Sequence, residues 1–232
     1  MSIFFISVRE SFLEVQRCNC RKFTQSDRHE DSIIHRLNVC SMSEKNLFGG
    51  SISCFIPRDF DDVSSFRQVP DHQEVYTNSS TDQCIIVEIL QFETAVKDEC
   101  IARYLFDELA NENQCAASER SVCESKVLDA STPPRIGVDS VKSILVGDQY
   151  VSKFNEGSNA KNLIKVYLGV IRLPSVTSDI LISVSVPIKI NPMSSSRECS
   201  QHESQNSIEI GSDIFDKVFT SFRILNWGLF GS

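Results

Sequence analysis

The side chains best suited to acid–base chemistry lie in one short turn of the sequence, RQVPDHQEVY (67–76). His72 stands there between Asp71 and Glu74. Histidine changes its charge near neutral pH, and a neighbouring carboxylate can orient it as a general acid or base. A single histidine beside carboxylates is also typical of a solvated turn. Since no second reactive group accompanies His72 in the sequence, the pattern favours the solvated turn over a catalytic site.

Motifs that would support other enzyme classes are missing. The sequence contains no GxSxG elbow, no GxGxxG fingerprint and no HExxH pair. The Gly49-Gly50 pair is not followed by the Lys-Ser or Lys-Thr of a phosphate-binding loop, so it predicts a turn. We therefore expect a protein that is not an enzyme and that needs no cofactor.

The cysteines and histidines do not form a recognisable metal site. Nine cysteines occur without a repeated CxxC, which argues against a zinc ribbon or a disulfide framework and favours a reducing compartment. The N-terminal segment holds five side chains of metal-ligand type, at spacings that match no zinc pattern: Cys18, Cys20, His29, His35 and Cys40. No metal is predicted.

One carboxylate interrupts an apolar segment. Glu88 lies within CIIVEILQF (84–92), whose β-branched residues predict a buried strand. An unpaired carboxylate buried there would cost several kcal/mol or take up a proton. Glu88 must therefore face solvent beside the 71–74 turn or have a buried partner such as Arg67.

Length, net charge and apolar content limit which kinds of protein this chain can be. A chain of 232 residues is long enough for one domain with additional chain. The net charge of −8 disfavours nucleic-acid binding and suits a basic protein partner. No apolar run approaches the ~20 residues that a membrane-spanning helix needs, so no membrane insertion is expected.

Periodicity predicts an α+β fold with a mainly antiparallel sheet. NLIKVYLGVIRL (162–173) and SDILISVSVPI (178–188) are joined by a connection too short for a parallel crossover, so they predict a hairpin. Amphipathic helices are predicted over 98–113 and from a Ser212 cap, with a polar loop over 191–209. Further strands are predicted at 51–56, 74–77, 84–92, 119–128 and 142–154.

The first 46 residues lack sustained periodicity, so we predict a disordered extension before a domain spanning 47–232. An organelle transit peptide is the alternative, because serine and arginine are present. Such peptides avoid acids, however, and this segment contains Glu10, Glu14 and Asp27.

Several stretches from 47 to 232 resemble one family, the Ran guanine nucleotide release factors. The resemblance is carried by LFGG (47–50), the segment from Pro57 to Val63, RQVPDHQEVY (67–76), IIVEIL (85–90), Arg172-Leu173 with Thr177 and Asp179, and the terminal Trp-x-Leu-Phe-Gly. Family members usually begin near Met42, so the resemblance is compatible with a shorter form that starts there.

The resemblance implies an antiparallel sheet covered by helices on both faces, in α/β/α layers, a fold shared with the extrinsic oxygen-evolving photosystem II protein. It also implies binding to the GTPase Ran, release of the Ran nucleotide, and a role in nuclear import. The expected partner is Ran, alone or with a second Ran-binding protein, for a monomer of the nucleus and cytoplasm. A binding or assembly module of the same fold in an organelle lumen is the alternative.

The resemblance further implies a protein-binding face. Glu88 matches an acidic family position on the strand over 85–92, and a second acid usually follows three residues later, where this chain has Gln91, with Glu93 two residues further on. Asp71 and Glu74 are added by charge and proximity. The remaining predicted contact residues belong to the same motif: Arg67, Val69, Pro70 and Gln73.

Overall fold

A computed structural model describes residues 41–137, 139–153, 156–198 and 206–231. The candidate metal ligands at 18–40 and most of the predicted extension lie outside these ranges. Residues 42–46, which were assigned to the extension, form the first strand of the fold. The folded part of the chain therefore starts earlier than the predicted boundary at 47.

The larger of two sheets contains seven strands in the order β3-β4-β5-β9-β8-β7-β6. Every pairing within it is antiparallel. The α+β class dominated by antiparallel sheet is thus confirmed. The strands are β3 (Asp61–Asp62), β4 (Gln73–Asn78), β5 (Gln83–Gln91), β6 (Arg120–Leu128), β7 (Val141–Val151), β8 (Asn162–Leu173) and β9 (Ser178–Lys189).

The smaller sheet has three antiparallel strands, with β2 (Ile52–Pro57) between β1 (Met42–Leu47) and β10 (Arg223–Ile224). It joins the two ends of the described chain. Backbone N–H groups of Leu225 and Asn226 also donate to the Ser51 carbonyl, at 2.8 and 3.1 Å. The C-terminal segment is therefore held against the beginning of β2.

The predicted hairpin of β8 and β9 is confirmed. The two strands are joined by a 3-10 turn at Pro174–Val176, and Thr177 ends that turn in the left-handed conformation. Arg172 and Asp179 lie opposite each other across this hairpin and form a buried ion pair at 3.2 Å. The Arg172 guanidinium also donates to the Val96 carbonyl at 2.8 Å. This arginine therefore fixes the connection between β5 and the helix that follows it.

Two α-helices pack on the sheets. Helix α1 (Ile101–Glu112) follows a 3-10 turn at Asp98–Cys100 and buries the predicted apolar face of Ile101, Leu105, Phe106 and Leu109. Helix α2, described over Asn206–Ser221, already includes the six residues before the predicted Ser212 cap. Gly211 lies buried inside it, and a Cβ there would come within 2.5 Å of Val186. The absence of a side chain at Gly211 therefore permits close packing of α2 on β9, ahead of the position that capping preference indicates.

Two apolar clusters share β5. Cys84 and Ile86 pack with α1, whereas Ile85 and Val87 pack with α2 and the small sheet. Since successive strand residues point to opposite faces, the two clusters lie on opposite faces of the large sheet. No helix among the described residues is long and apolar enough to cross a membrane.

The predicted polar loop at 191–209 is only partly irregular. Ser194 and Ser196 are buried, and the Ser196 hydroxyl donates to Asp82 at 2.8 Å. Asp82 also forms a buried ion pair with Lys153 at 3.2 Å. Residues 206–209 belong to α2. The loop is therefore fastened, over its described residues, by polar contacts rather than by apolar ones.

Candidate binding site at the His72–Glu88 pair

The turn that precedes β4 is fastened to β5 by backbone hydrogen bonds. The Gln73 N–H donates to the Pro70 carbonyl at 2.9 Å, which closes the turn, and the Ile89 N–H donates to the His72 carbonyl at 2.9 Å. Asp62 contributes earlier in the same loop by capping a 3-10 turn, accepting from the Ser64 N–H at 2.8 Å. These contacts position His72 beside the last third of β5.

Glu88 is buried and paired within this arrangement. It is 2% exposed and lies directly opposite Gln73 in the β4–β5 register. The Gln73 amide nitrogen donates to the Glu88 carboxylate at 2.8 Å. His72 Nε2 lies 3.5 Å from the same oxygen, with a side chain that is 39% exposed. Glu88 could have faced solvent or been buried with a partner. In the structure it is buried, and its partners are Gln73 and His72.

The pKa of His72 is raised by its contact with Glu88. The hydrogen bond with Glu88 raises the pKa of His72, partial burial opposes that rise, and the negative charges of Glu88 and Asp71 add to it. His72 thus lies in the turn with a partly exposed side chain, and when protonated it also forms an ion pair with the buried Glu88. Protonated His72 presents a positive edge to solvent with the Glu88 charge directly behind it.

A second glutamate approaches from helix α1. Burial raises the pKa of Glu112 to about 7, and the negative charges of Glu88 and Glu108 raise it further. Its Oε2 atom is buried and has no hydrogen-bond partner among the described residues. We call Glu88, Gln73, His72 and Glu112 the Glu88 cluster. It places two carboxylates and a titratable histidine on the α1 face of the large sheet.

The loop residues of the predicted site surround this cluster with different exposures. Asp71 is exposed, whereas Pro70 and Val69 are half-buried, and Val69 packs against the α1-side apolar cluster. Arg67 is half-buried as well, and its charge opposes the rise that burial causes in the Cys84 thiol pKa. These four residues lie on the loop that leads into the Glu88 cluster.

Two predicted residues are separated from the cluster by the pleat of the sheet. Glu74 neighbours Gln73 in β4 and points to the other face, where its carboxylate accepts from the Phe48 N–H at 2.5 Å. Burial raises the pKa of Glu74, and the Phe48 hydrogen bond opposes that rise. Gln91 is exposed and lies three residues beyond Glu88 in β5, also on the opposite face. Glu74 and Gln91 therefore do not share one surface with Glu88.

His72 and Glu112 are the members that the predicted site lacked. His72 adjoins a residue that pairs with Glu88, so a correct β4–β5 register would have found it. Glu112 lies 24 positions after Glu88 in the sequence, and no local pattern connects the two. Among the described residues, no group of three or more histidine, cysteine or acidic side chains has the arrangement of a metal site.

Comparison with known proteins identifies relatives along most of the chain. A family model described as Ran-interacting Mog1 protein matches residues 45–187. The Ran guanine nucleotide release factor of Danio rerio is 39% identical over 187 residues, which cover 80% of this chain and 98% of the relative. The Homo sapiens protein of the same name is 33% identical over 141 residues, covering 61% of this chain and 74% of the relative.

A solved structure shares the fold. The Saccharomyces cerevisiae Ran-binding protein Mog1p superposes with a TM-score of 0.62 at 20% identity, covering 83% of this chain and all of the other. The family model matches more than half of the sequence, and the motifs at 47–50, 67–76 and 85–90 all lie inside the match. This chain therefore belongs to the Ran-interacting Mog1 family.

Proposed function

We propose that this protein binds the GTPase Ran and promotes release of its guanine nucleotide during nuclear import. The observation that carries the proposal is the His72–Glu88 pair, a buried carboxylate 3.5 Å behind a half-exposed histidine in the RQVPDHQEVY turn. Relatives named Ran guanine nucleotide release factor and nuclear import protein support the same reading. The activity is regulatory, with no covalent chemistry by this chain.

The binding face in this proposal is composite. Asp71, Val69 and Pro70 form its outer part with His72, and Glu88 and Gln73 lie directly beneath. Exposed ion pairs contribute only about 0–1 kcal/mol each, so the half-buried apolar residues supply the tight contact and the charges supply orientation. Arg67 flanks the loop. Glu74 and Gln91 lie on the opposite face of the sheet. Glu74 holds the turn at Phe48, and Gln91 ends strand β5.

Release of nucleotide follows from linked binding. A protein that binds nucleotide-free Ran more tightly than loaded Ran lowers the affinity of Ran for nucleotide by the same factor. Reversing an occupancy from 99:1 to 1:99 requires about 5.5 kcal/mol of differential affinity. A single exposed carboxylate cannot provide it, whereas a face that combines Val69, Pro70 and the Glu88 cluster has the apolar and charged contacts that such a difference requires.

We also propose that the chain works in the nucleus and cytoplasm as a monomer, alone or with a second Ran-binding protein. The α/β/α layering, which is supported by the separate apolar clusters of α1 and α2, presents the α1 face to Ran. The likeness to the photosystem II extrinsic protein, and the organelle function that it would imply, stay predictions.

The test is release of a fluorescent GTP analogue from purified Ran by the full chain and by Glu88→Gln. The glutamine keeps the shape of the side chain and an oxygen for the Gln73 amide, but it removes the charge. We expect accelerated release with the unchanged protein and at least about tenfold less acceleration with the variant, the change that corresponds to 1.4 kcal/mol.

Glu124→Gln is the matched control, because Glu124 is an exposed carboxylate of β6 whose ion-pair partner among the described residues is the exposed Lys126. It should leave release unchanged. Thermal unfolding of each variant separates loss of binding from loss of folding. Absence of any complex between the unchanged chain and Ran, in any nucleotide state, would overturn the proposed function.

A further inference from the structure

A groove of about 730 Å³ lies between the C-terminal segment and the connection from β6 to β7, on the side of the molecule that carries α2 and the small sheet. Leu225 and Trp227, which line it, are 56% and 43% exposed. Further apolar residues of its lining are Pro133, Ile136, Phe222 and Ile224. The groove combines a large aromatic ring with aliphatic neighbours, a composition typical of sites that hold side chains of a partner.

The charge of the groove is opposite to that of the protein. Arg135 and Arg223 line it, and no acidic residue does. Neither guanidinium forms an ion pair with any residue that the structure describes, although the whole chain carries a net charge of −8. Two unpaired arginines beside an exposed indole are suited to a ligand that is both acidic and apolar.

The two walls of the groove are held by hydrogen bonds. On one side, Asn226 caps the 3-10 turn that carries Trp227, accepting from the Gly228 N–H at 3.0 Å. On the other side Lys142, which is 2% exposed, donates to the carbonyls of Ala130 and Pro134 at 3.1 Å each and to that of Thr132. Lys142 is therefore a positioning residue for the segment that carries Arg135.

We propose that this groove docks an acidic peptide segment of a partner protein, with an apolar side chain against Trp227 and carboxylates on Arg135 and Arg223. Charge complementarity selects this occupant. The N-terminal forty residues of the same chain contain six lysines and arginines against five acids, so they do not neutralise the two arginines. The surface is separate from the Glu88 cluster, and the inference does not depend on Ran binding.

Trp227 is the only tryptophan of the chain, so its emission reports on the groove directly. The full chain is titrated with a short synthetic peptide that alternates glutamate with leucine and phenylalanine, and with a matched peptide carrying glutamine at every glutamate. We expect a saturable change in emission with the acidic peptide, and affinity about tenfold lower for the glutamine peptide, as the loss of two charge pairs predicts.

Variants assign the effect to the groove. Arg135→Gln combined with Arg223→Gln should lower the affinity for the acidic peptide about tenfold. Lys142→Met should also lower that affinity, although Lys142 does not itself line the groove. Arg103→Gln, an exposed arginine of α1, should bind as the unchanged chain does. Equal affinity for the two peptides, or no effect of the double arginine change, would overturn the proposal.

Two other occupants give distinct results. If inorganic phosphate at equal ionic strength displaces the peptide, the groove is a simple anion site and the proposal fails. If Phe4→Ser with Phe5→Ser shifts the Trp227 emission of the free protein, the N-terminal segment of the chain fills the groove, and the proposal fails as well. Unchanged emission and no displacement by phosphate support the acidic partner.

Discussion

Gln73 and Glu88 face each other across two antiparallel strands, and a 2.8 Å hydrogen bond from the amide to the carboxylate joins them in the interior of the protein. Each residue would be costly to bury alone, because a polar group without a partner loses its hydration. The pair therefore explains how a charged residue is accommodated in the apolar strand β5.

Removing the amide should destabilise the fold. We expect Gln73→Leu to lower the free energy of unfolding by about 1–3 kcal/mol, because it withdraws a donor from a buried carboxylate. Urea denaturation measures the change. The double change Gln73→Leu with Glu88→Leu should cost less than the sum of the single changes. Strict additivity of the two would show that the side chains are not coupled.

Replacing Glu112 should stabilise the protein at neutral pH. The pKa of Glu112 is raised to about 7 by burial first and by Glu88 and Glu108 next, so the folded state holds the proton more tightly than the unfolded state. Stability is then lost as pH rises from the unfolded pKa of 4.5 towards the folded pKa of about 7. We expect Glu112→Gln to gain about 1–2 kcal/mol at and above pH 7, discounted for partial exposure.

Thermal unfolding between pH 4.5 and pH 8 tests this sign. Between pH 4.5 and 7 the unchanged chain should lose stability as pH rises, and Glu112→Gln should lose less over the same interval. Glu124→Gln, at an exposed carboxylate of β6 that does not contribute to the Glu112 pKa, is the control and should alter it little. A Glu112→Gln protein that is less stable than the unchanged chain at pH 8 would contradict the buried charge.

Breaking the Lys153–Asp82 ion pair should be among the most harmful single changes. Both side chains are buried, and Asp82 also accepts from Ser196. We expect Lys153→Met to cost about 3–5 kcal/mol, since it leaves a carboxylate without its counter-charge. Adding Asp82→Asn should recover part of the loss, because asparagine tolerates the positive φ of 58° at this position. Lys126→Met, which breaks an exposed pair, should cost about 0–1 kcal/mol.

Gly169 permits the close approach of α2 to the sheet. A Cβ at this position would lie 2.3 Å from the Phe219 ring, so Gly169→Ala should destabilise by about 1–3 kcal/mol through overpacking. Phe219→Leu in the same chain should reduce that penalty, as chemical denaturation can measure. Gly137→Ala is the control, because a Cβ there meets no atom within 4 Å; an equal cost at both glycines would contradict the steric account.

The local pattern of the sequence was sufficient for most elements. Apolar and β-branched runs bounded by turn residues predicted β4, β5, β8 and β9 close to their observed bounds, and the spacing of Ile101, Leu105 and Leu109 predicted the buried face of α1. These features depend on strand and helix periodicity, which neighbouring residues encode. Helix α2, by contrast, already includes the residues before the predicted Ser212 cap, where Gly211 packs closely against Val186.

The sequence by itself also determined the family motif and the problem posed by Glu88, a carboxylate inside an apolar strand. Only the tertiary structure decided its solution. Strand register brought Gln73 and His72 to Glu88, the pleat sent Glu74 and Gln91 to the other face, and helix docking added Glu112 from 24 residues away. The physical reason is that the burial and ionisation of a side chain depend on its neighbours in space. For Glu88, several of those neighbours are distant in the sequence.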